Sequence, residues 1–263
     1  MRLYDDRICE VLTALTEQEA REIPVGDAAD QRQCNWPDAG RAMMVLQSDM
    51  AYELGGHHLP AVGNTLVTMD QTLVPQDEIL LYGPDLPEIT TDTPYARMAL
   101  VRVAEDSIGT GDQLYNMIQN IGYFRYHIYP KGFMLRVSSS NDRESVRVAK
   151  DALQEGLDFT AIGNAMIRAL RLHKEVEAVK IIFVTLPQAP YELFQENLKK
   201  TKQITATIDH MLKDVNMDCN SCGLQEICDE VEGLREMHFG IKEQGDDSCL
   251  DDTETKEMND RIK

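Results

Sequence analysis

Residues 179–187 read VKIIFVTLP. β-Branched and aromatic side chains crowd a run too short for an ordinary helix, and Pro187 closes it. The run therefore reads as a strand buried on both faces. Just upstream, Phe159, Ile162, Met166, Leu170 and His173 trace one face of a helix. Just downstream, a long helix opens near Tyr191 and carries Ile204, Ile208, Met211 and Val215 at i, i+4, i+7 and i+11, running on toward Cys219. A buried strand held between two amphipathic helices predicts a layered helix-and-sheet architecture.

Working outward, TGDQLYNMIQNIG predicts a helix ended by Gly122, and GFMLRVSS (132–139) a strand. Asn141 with Glu144 three residues on has the form of a capping box. It predicts a helix over DRESVRVAKDALQEG, stopped by Gly156. Nearer the N-terminus, Ile8, Leu12, Leu15 and Ala20 suggest an amphipathic helix ended by Pro24 and Gly26. DAGRAMMVLQSDMAYEL follows as a helix or a helix–strand pair, and ELGGHHLPAVGNT (53–65) reads as a glycine-rich loop. NTLVTM, EILLYGPDL and RMALVRVAE then form a strand–turn–strand series. The expectation is an α+β protein of two mixed α/β domains. Residues 1–105 form a strand-rich domain, residues 106–240 an α/β domain ending in a cysteine-rich segment, and 241–263 an acidic, disordered tail.

The 263 residues are 43% hydrophobic and 27% charged, a globular composition. The net charge of −19 argues against nucleic acid and anionic membrane and favours basic partners. Asp5, Asp6 and Glu10 interrupt the N-terminal apolar segment, so it does not read as a signal peptide. IIFVTL is far too short to span a bilayer. A cytoplasmic protein is expected.

In a reducing compartment clustered cysteines point to metal before disulfide. DCNSCGLQEICDEVEGLREMH (218–238) spaces Cys219-x2-Cys222-x5-Cys228, with nine residues between Cys228 and His238. A tight CxxC turn aims two thiolates at one metal, a nearby third cysteine adds another ligand, and an imidazole completes four. Cys₃His suits structural zinc. A [4Fe–4S] cluster also accepts such a set when a non-thiolate takes the fourth position. A thiol redox pair at Cys219 and Cys222 is the competing reading, although that motif normally follows a strand and opens a helix.

The order of segments resembles the β subunit of the CO dehydrogenase/acetyl-CoA synthase complex. DMAYELGGHHLPAVGNTLVTM, DEILLYGPDLPEI and NIGYFRYHIYPKGFMLRVSS carry the resemblance, which runs from about 48 to 238. It implies an iron–sulfur site in the cysteine segment, where the family pattern is Cys-x2-Cys-x8-Cys-x9-Cys. Cys219, Cys222 and Cys228 align with the first three, with a gap three residues shorter before Cys228, and His238 stands where the fourth is placed. The family's later Cys-Gly-Cys, which holds nickel, has no counterpart in this sequence, nor does its N-terminal docking domain. The resemblance thus implies an iron–sulfur protein with an accessory or electron-transfer role in the CO/acetyl-CoA one-carbon metabolism of an anaerobe. Its partners would come from a CO dehydrogenase/acetyl-CoA synthase-like or corrinoid/redox system, and nickel is not expected. Two alternatives stay open: a non-catalytic zinc scaffold, and an active synthase subunit whose nickel half lies on another chain.

Other candidates are weaker. His57 and His58 read as loop residues, and GTGDQ (109–113) as a plain helix entry. His127, among Tyr123, Phe124, Arg125, Tyr126 and Tyr129, reads first as a domain-junction histidine and second as a guide for a coenzyme or partner. His173 reads as a core or boundary residue. Asp218, Asp229 and Glu230 flank the cysteines and would tune a bound centre or simply be solvated. Cys9 is expected in the core, Cys34 in a turn beside Trp36 and Pro37, and Cys249 in the acidic tail as an exposed bystander first and a labile extra ligand second. There is no HExxH, P-loop or nucleophile-elbow motif.

Overall fold

The computed structural model describes residues 2–26, 50–56, 58–105, 111–127, 130–138, 143–213 and 225–231. Its elements are α1 (Asp5–Leu15), β1 (Arg21–Ile23), β2 (Ala51–Leu54), β3 (Ala61–Thr68), β4 (Glu78–Tyr82), β5 (Tyr95–Val103), α2 (Gly111–Tyr123), β6 (Phe133–Ser138), β7 (Arg143–Ala149), α3 (Lys150–Gln154), α4 (Phe159–Leu170), β8 (Val176–Val184), α5 (Tyr191–Lys213) and α6 (Gln225–Glu230). Helices together with one mixed and one antiparallel sheet make the protein α+β.

The large sheet runs β1-β4-β8-β5-β3. β8, which contains the apolar run at 179–184, is parallel to β4 and antiparallel to β5. Flanked on both edges, Val179 and Ile181 through Val184 are all buried, as a continuous apolar run requires. The expected boundary at 105/106 falls after β5, and strands from both sides of it share this sheet.

Register assigns the faces. Gly63, Arg97, Phe183 and Leu81 line up across neighbouring strands on one face. Phe159 of α4 stacks on Phe183 there, with ring centroids 4.3 Å apart. The opposite face takes α5 and α1. Asn64 donates to Asn197 Oδ1 and Thr201 Oγ1 of α5, both at 3.1 Å. Thr68 donates to Asp5 of α1 at 2.7 Å, and Asn197 Nδ2 donates onward to the Arg7 carbonyl at 2.8 Å.

The small sheet, β2-β7-β6, is antiparallel throughout and packs through β7 against β3. Here the helix expected over 142–156 is corrected. Residues 143–149 are strand, and only Lys150–Gln154 is helical. Glu144, Val146 and Val148 are buried and alternate with partly exposed Arg143, Ser145 and Arg147. That is a two-residue period, in which β-branched residues outweigh a local capping signal. Asn141 lies outside the described residues.

Two smaller corrections concern the N-terminal half. The expected loop over 53–65 is cut back at both ends, since β2 runs to Leu54 and β3 already starts at Ala61. The first helix ends at Leu15, and residues 21–23 pair with β4 as a strand. Cys9 is exposed, not a core residue. Ile8, Val11 and Leu15 form the buried stripe of α1 and leave position 9 on the outer side. The segment 241–263 lies outside the described residues.

Candidate functional site

Of the four expected ligands, only Cys228 falls within the described residues. Cys219, Cys222 and His238 lie outside them. Cys228 sits on α6, half-buried, and with Ile227 and Val231 it packs against the edge of the hydrophobic core. α6 itself rests on α5. The third cysteine of the motif is thus seated on the body of the protein. Among the described residues no three His, Cys, Asp or Glu side chains converge as a metal-binding group. The fit of a centre rests on the chemistry of the donor set, three thiolates and one imidazole, which suits iron–sulfur or zinc.

The other expected positions separate. His58 is exposed and His57 lies outside the described residues. His173 is half-buried in the turn after α4, its backbone N–H bonded to the Leu170 carbonyl at 3.1 Å. α2 starts at Gly111, as expected of a helix entry. Phe124 is buried and lies under the Arg97 guanidinium, 5.2 Å from ring centroid to Cζ.

That guanidinium belongs to a centre which sequence reading missed. Arg97 is 0% and Glu144 2% exposed on their side chains. Arg97 Nε and Nη2 donate to Glu144 Oε1 and Oε2 at 2.6 and 2.9 Å, a two-pronged pair. Arg97 Nη1 also donates to the Asn64 carbonyl at 3.2 Å. Burial alone would pull the Arg97 pKa down, but the Glu144 charge and hydrogen bonds outweigh it and hold it above the usual value. Arg125 Nη1 stands 3.9 Å from Glu144 Oε2. Beside them the Tyr95 hydroxyl is buried with no hydrogen-bond partner among the described residues. Burial first, and the Glu144 charge second, push its phenol well above the ordinary range. Gly63 makes the room, since a Cβ there would lie 2.0 Å from the Glu144 carboxyl carbon. The pair joins the two sheets.

The opposite face of β7 is different. Arg143, Ser145 and Arg147 point away from the core, with Ser138 and Arg136 beside them on β6. With Glu53, Gly55 and Gly56 they line a cavity of about 530 Å³. Arg147 pairs with Glu53, and Arg136 Nη1 donates to the same carboxylate at 3.2 Å. Arg143 Nη2 donates to the carbonyls of Gly55, Gly56 and Leu59 at 3.0, 2.7 and 2.7 Å. Gly55, at φ 68°, turns those carbonyls inward. The signal for this face was the alternation in RESVRVA, hidden once the segment was read as a helix.

Residues 40–189 match the family of the CO dehydrogenase/acetyl-CoA synthase complex beta subunit. The match covers more than half of the chain and includes both sheets from β2 through β8. The chain belongs to this family, as the resemblance implied. No individual curated protein matches it. The family is that of a complex subunit, so the chain is a component that works with protein partners. Among the described residues no helix is long and apolar enough to cross a membrane.

Proposed function

We propose that this protein is an iron–sulfur-binding accessory subunit in CO/acetyl-CoA one-carbon metabolism. Cys219, Cys222, Cys228 and His238 hold a [4Fe–4S] cluster, and the role is electron transfer or partner binding in a cytoplasmic, anaerobic setting. The observation that carries this reading is Cys228, seated against the core on α6 and supported by α5, in a chain whose fold domain belongs to the acetyl-CoA synthase subunit family. A thiolate fixed to a rigid support gives the other three ligands a defined anchor. When bound, such a cluster supplies one-electron redox chemistry. The chain's own part is to present three deprotonated thiolates and a neutral imidazole, so binding weakens as pH falls. The proposed role is confined to the cluster held by these four residues and does not extend to carbon–carbon bond formation.

Strictly anaerobic purification followed by metal and sulfide analysis is the test. Brown protein with about four iron and four sulfide per chain supports the proposal. A colourless protein with one zinc replaces it with a non-catalytic scaffold. Stoichiometric nickel would instead favour a synthase subunit completed by another chain. His238→Ala is expected to release the centre or shift its spectrum, and unchanged metal content and spectrum would remove His238 from the ligand set.

A further inference from the structure

An unpaired strand edge offers a row of N–H and C=O groups to any strand that approaches, so proteins cover such edges, shorten them or charge them. Among the described residues the two sheets have four edges: β1, β3, β2 and β6. β1 is three residues long, with Arg21 and Glu22 exposed. β3 lies against β7. β2 is capped by Thr93, whose carbonyl accepts from the Gly55 N–H at 2.7 Å and whose N–H donates to the Glu53 carbonyl at 3.0 Å. β6 has none of these devices. Its six residues, FMLRVS, contain no proline and no lysine, and its register with β7 is unbroken. Val137 is 40% exposed and Leu135 partly buried.

Register shows which backbone groups are open. The Ala149 N–H donates to the Gly132 carbonyl at 2.8 Å, so these two residues form a bonded pair. By alternation Met134, Arg136 and Ser138 turn their backbone groups toward β7, while Phe133, Leu135 and Val137 turn theirs outward. The Phe133 N–H is taken by the Pro130 carbonyl at 3.0 Å. The N–H and C=O of Leu135 and Val137, with the C=O of Phe133, face the open edge.

We infer that β6 is a docking edge for a second copy of this chain, paired antiparallel about a twofold axis at Leu135. The strand is complementary to itself in that register. Leu135 meets Leu135 of the second copy, and Phe133 meets its Val137, on the face that carries Val146 and Val148 of β7. On the other face Arg136 meets Met134 of the second copy, so its stem packs on an apolar side chain and no two arginines stand directly opposite. The bonded pairs fall on the residues whose groups face outward: two bonds join the Leu135 pair, and each Val137 N–H donates to the facing Phe133 carbonyl. A slip of two residues one way puts Arg136 opposite Arg136, and the other way puts Val137 opposite Lys131. A single strand pair is smaller than the about 1,200 Å² at which standard interfaces begin, so the dimer is weak and forms at high micromolar concentration. Each copy carries a net charge of −19. Salt therefore screens a repulsion and tightens the dimer, the opposite of a contact held by ion pairs.

Sedimentation equilibrium on the full-length, anaerobically prepared chain from about 5 to 500 μM, with amide hydrogen exchange at both ends of that range, tests this. The average mass should climb from the monomer value toward twice that value, more steeply in added salt. The Leu135 and Val137 amides should exchange at least about fivefold more slowly at the high concentration, and the Arg136 amide, which faces β7, should not change. Val137→Pro removes an outward N–H and spares the β7 ladder, and Val137→Lys charges the edge. Each should weaken association at least about tenfold, whereas Val137→Thr keeps it. The wild-type exchange measurement stands even where a variant fails to fold. A chain that stays monomeric throughout leaves the edge to a strand of another protein, and the second-copy assignment fails. Slow exchange at Leu135 and Val137 that is independent of concentration would show the edge covered within one chain and also overturn the inference. So would a dimer that forms without slowing those two amides, because it would use another face.

Discussion

Glu144 accepts from Arg97 in a site closed to water, and Gly63 leaves only enough space for its carboxylate. Removing one member strands the other as a buried charge. Glu144→Ala should therefore cost about 3–5 kcal/mol, measurable as a loss in urea midpoint with little change in slope. Gly63→Ala drives a methyl into the same carboxylate and should be destabilising by about 1–3 kcal/mol. A Gly63→Ala chain as stable as wild type would mean that the pair is not confined as described. Asp85 titrates in the opposite sense to a paired carboxylate. Burial raises its pKa, against the lowering effect of N–H groups donated by Phe159 and Leu86. Its contribution is then greatest below the ordinary aspartate pKa and falls as pH rises through the raised value. In Asp85→Asn that loss is absent, so wild-type stability relative to the variant should decline as pH rises above about 4, the ordinary aspartate value. At this scale the sequence was informative about apolar residues, such as Phe159, Ile162, Met166 and Leu170, all of which are buried. It was silent on Arg97, because a lone arginine in a strand gives no sign that a carboxylate 47 positions later will meet it.

Among the elements, β7 shows how a local signal loses to a longer-range one. Asn141 and Glu144 fit a capping box, yet Glu144, Val146 and Val148 gain burial only if the segment pairs with β2 and β6. The sequence contained that period of two, but seven residues of it compete poorly with a helix pattern that continues into α3. In contrast, β8, α4 and α5 were legible because each is long or uniformly apolar. α5 is tied to β3 and α1 through Asn197, which accepts from Asn64 and donates to the Arg7 carbonyl. Asn197→Ala leaves buried partners unsatisfied and should cost about 1–3 kcal/mol. Hydrogen exchange would then rise first in α1, and an unchanged α1 would show that its packing rests on Ile8, Val11 and Leu15 alone. For the candidate metal site, the sequence supplies only the donor set proposed above, and of its members Cys228 falls among the described residues, on α6 against the core.

Across the whole molecule, strands from 51–103 and 133–184 interlock. β8 lies between β4 and β5, and β7 pairs with β2. Strand order is a property of pairing, which no local pattern reports, so the expected boundary at 105/106 was drawn from composition and spacing. With both halves contributing to one sheet and one core, thermal unfolding of the described body should be a single cooperative transition. Two resolved calorimetric transitions would favour independent domains on either side of that boundary.

The central place of β8 also bears on how the chain is made. Of its two neighbours, β4 and β5, the later one, β5, is complete about 80 residues before β8. At about 5–20 residues per second, their facing edges stay unpaired for roughly 4–16 s of translation. During that interval two apolar strands without their neighbour are open to association with other chains. The nascent protein should therefore depend on holdase chaperones until Val184 emerges, and ribosome-bound chains stalled before β8 should be the ones such chaperones retain.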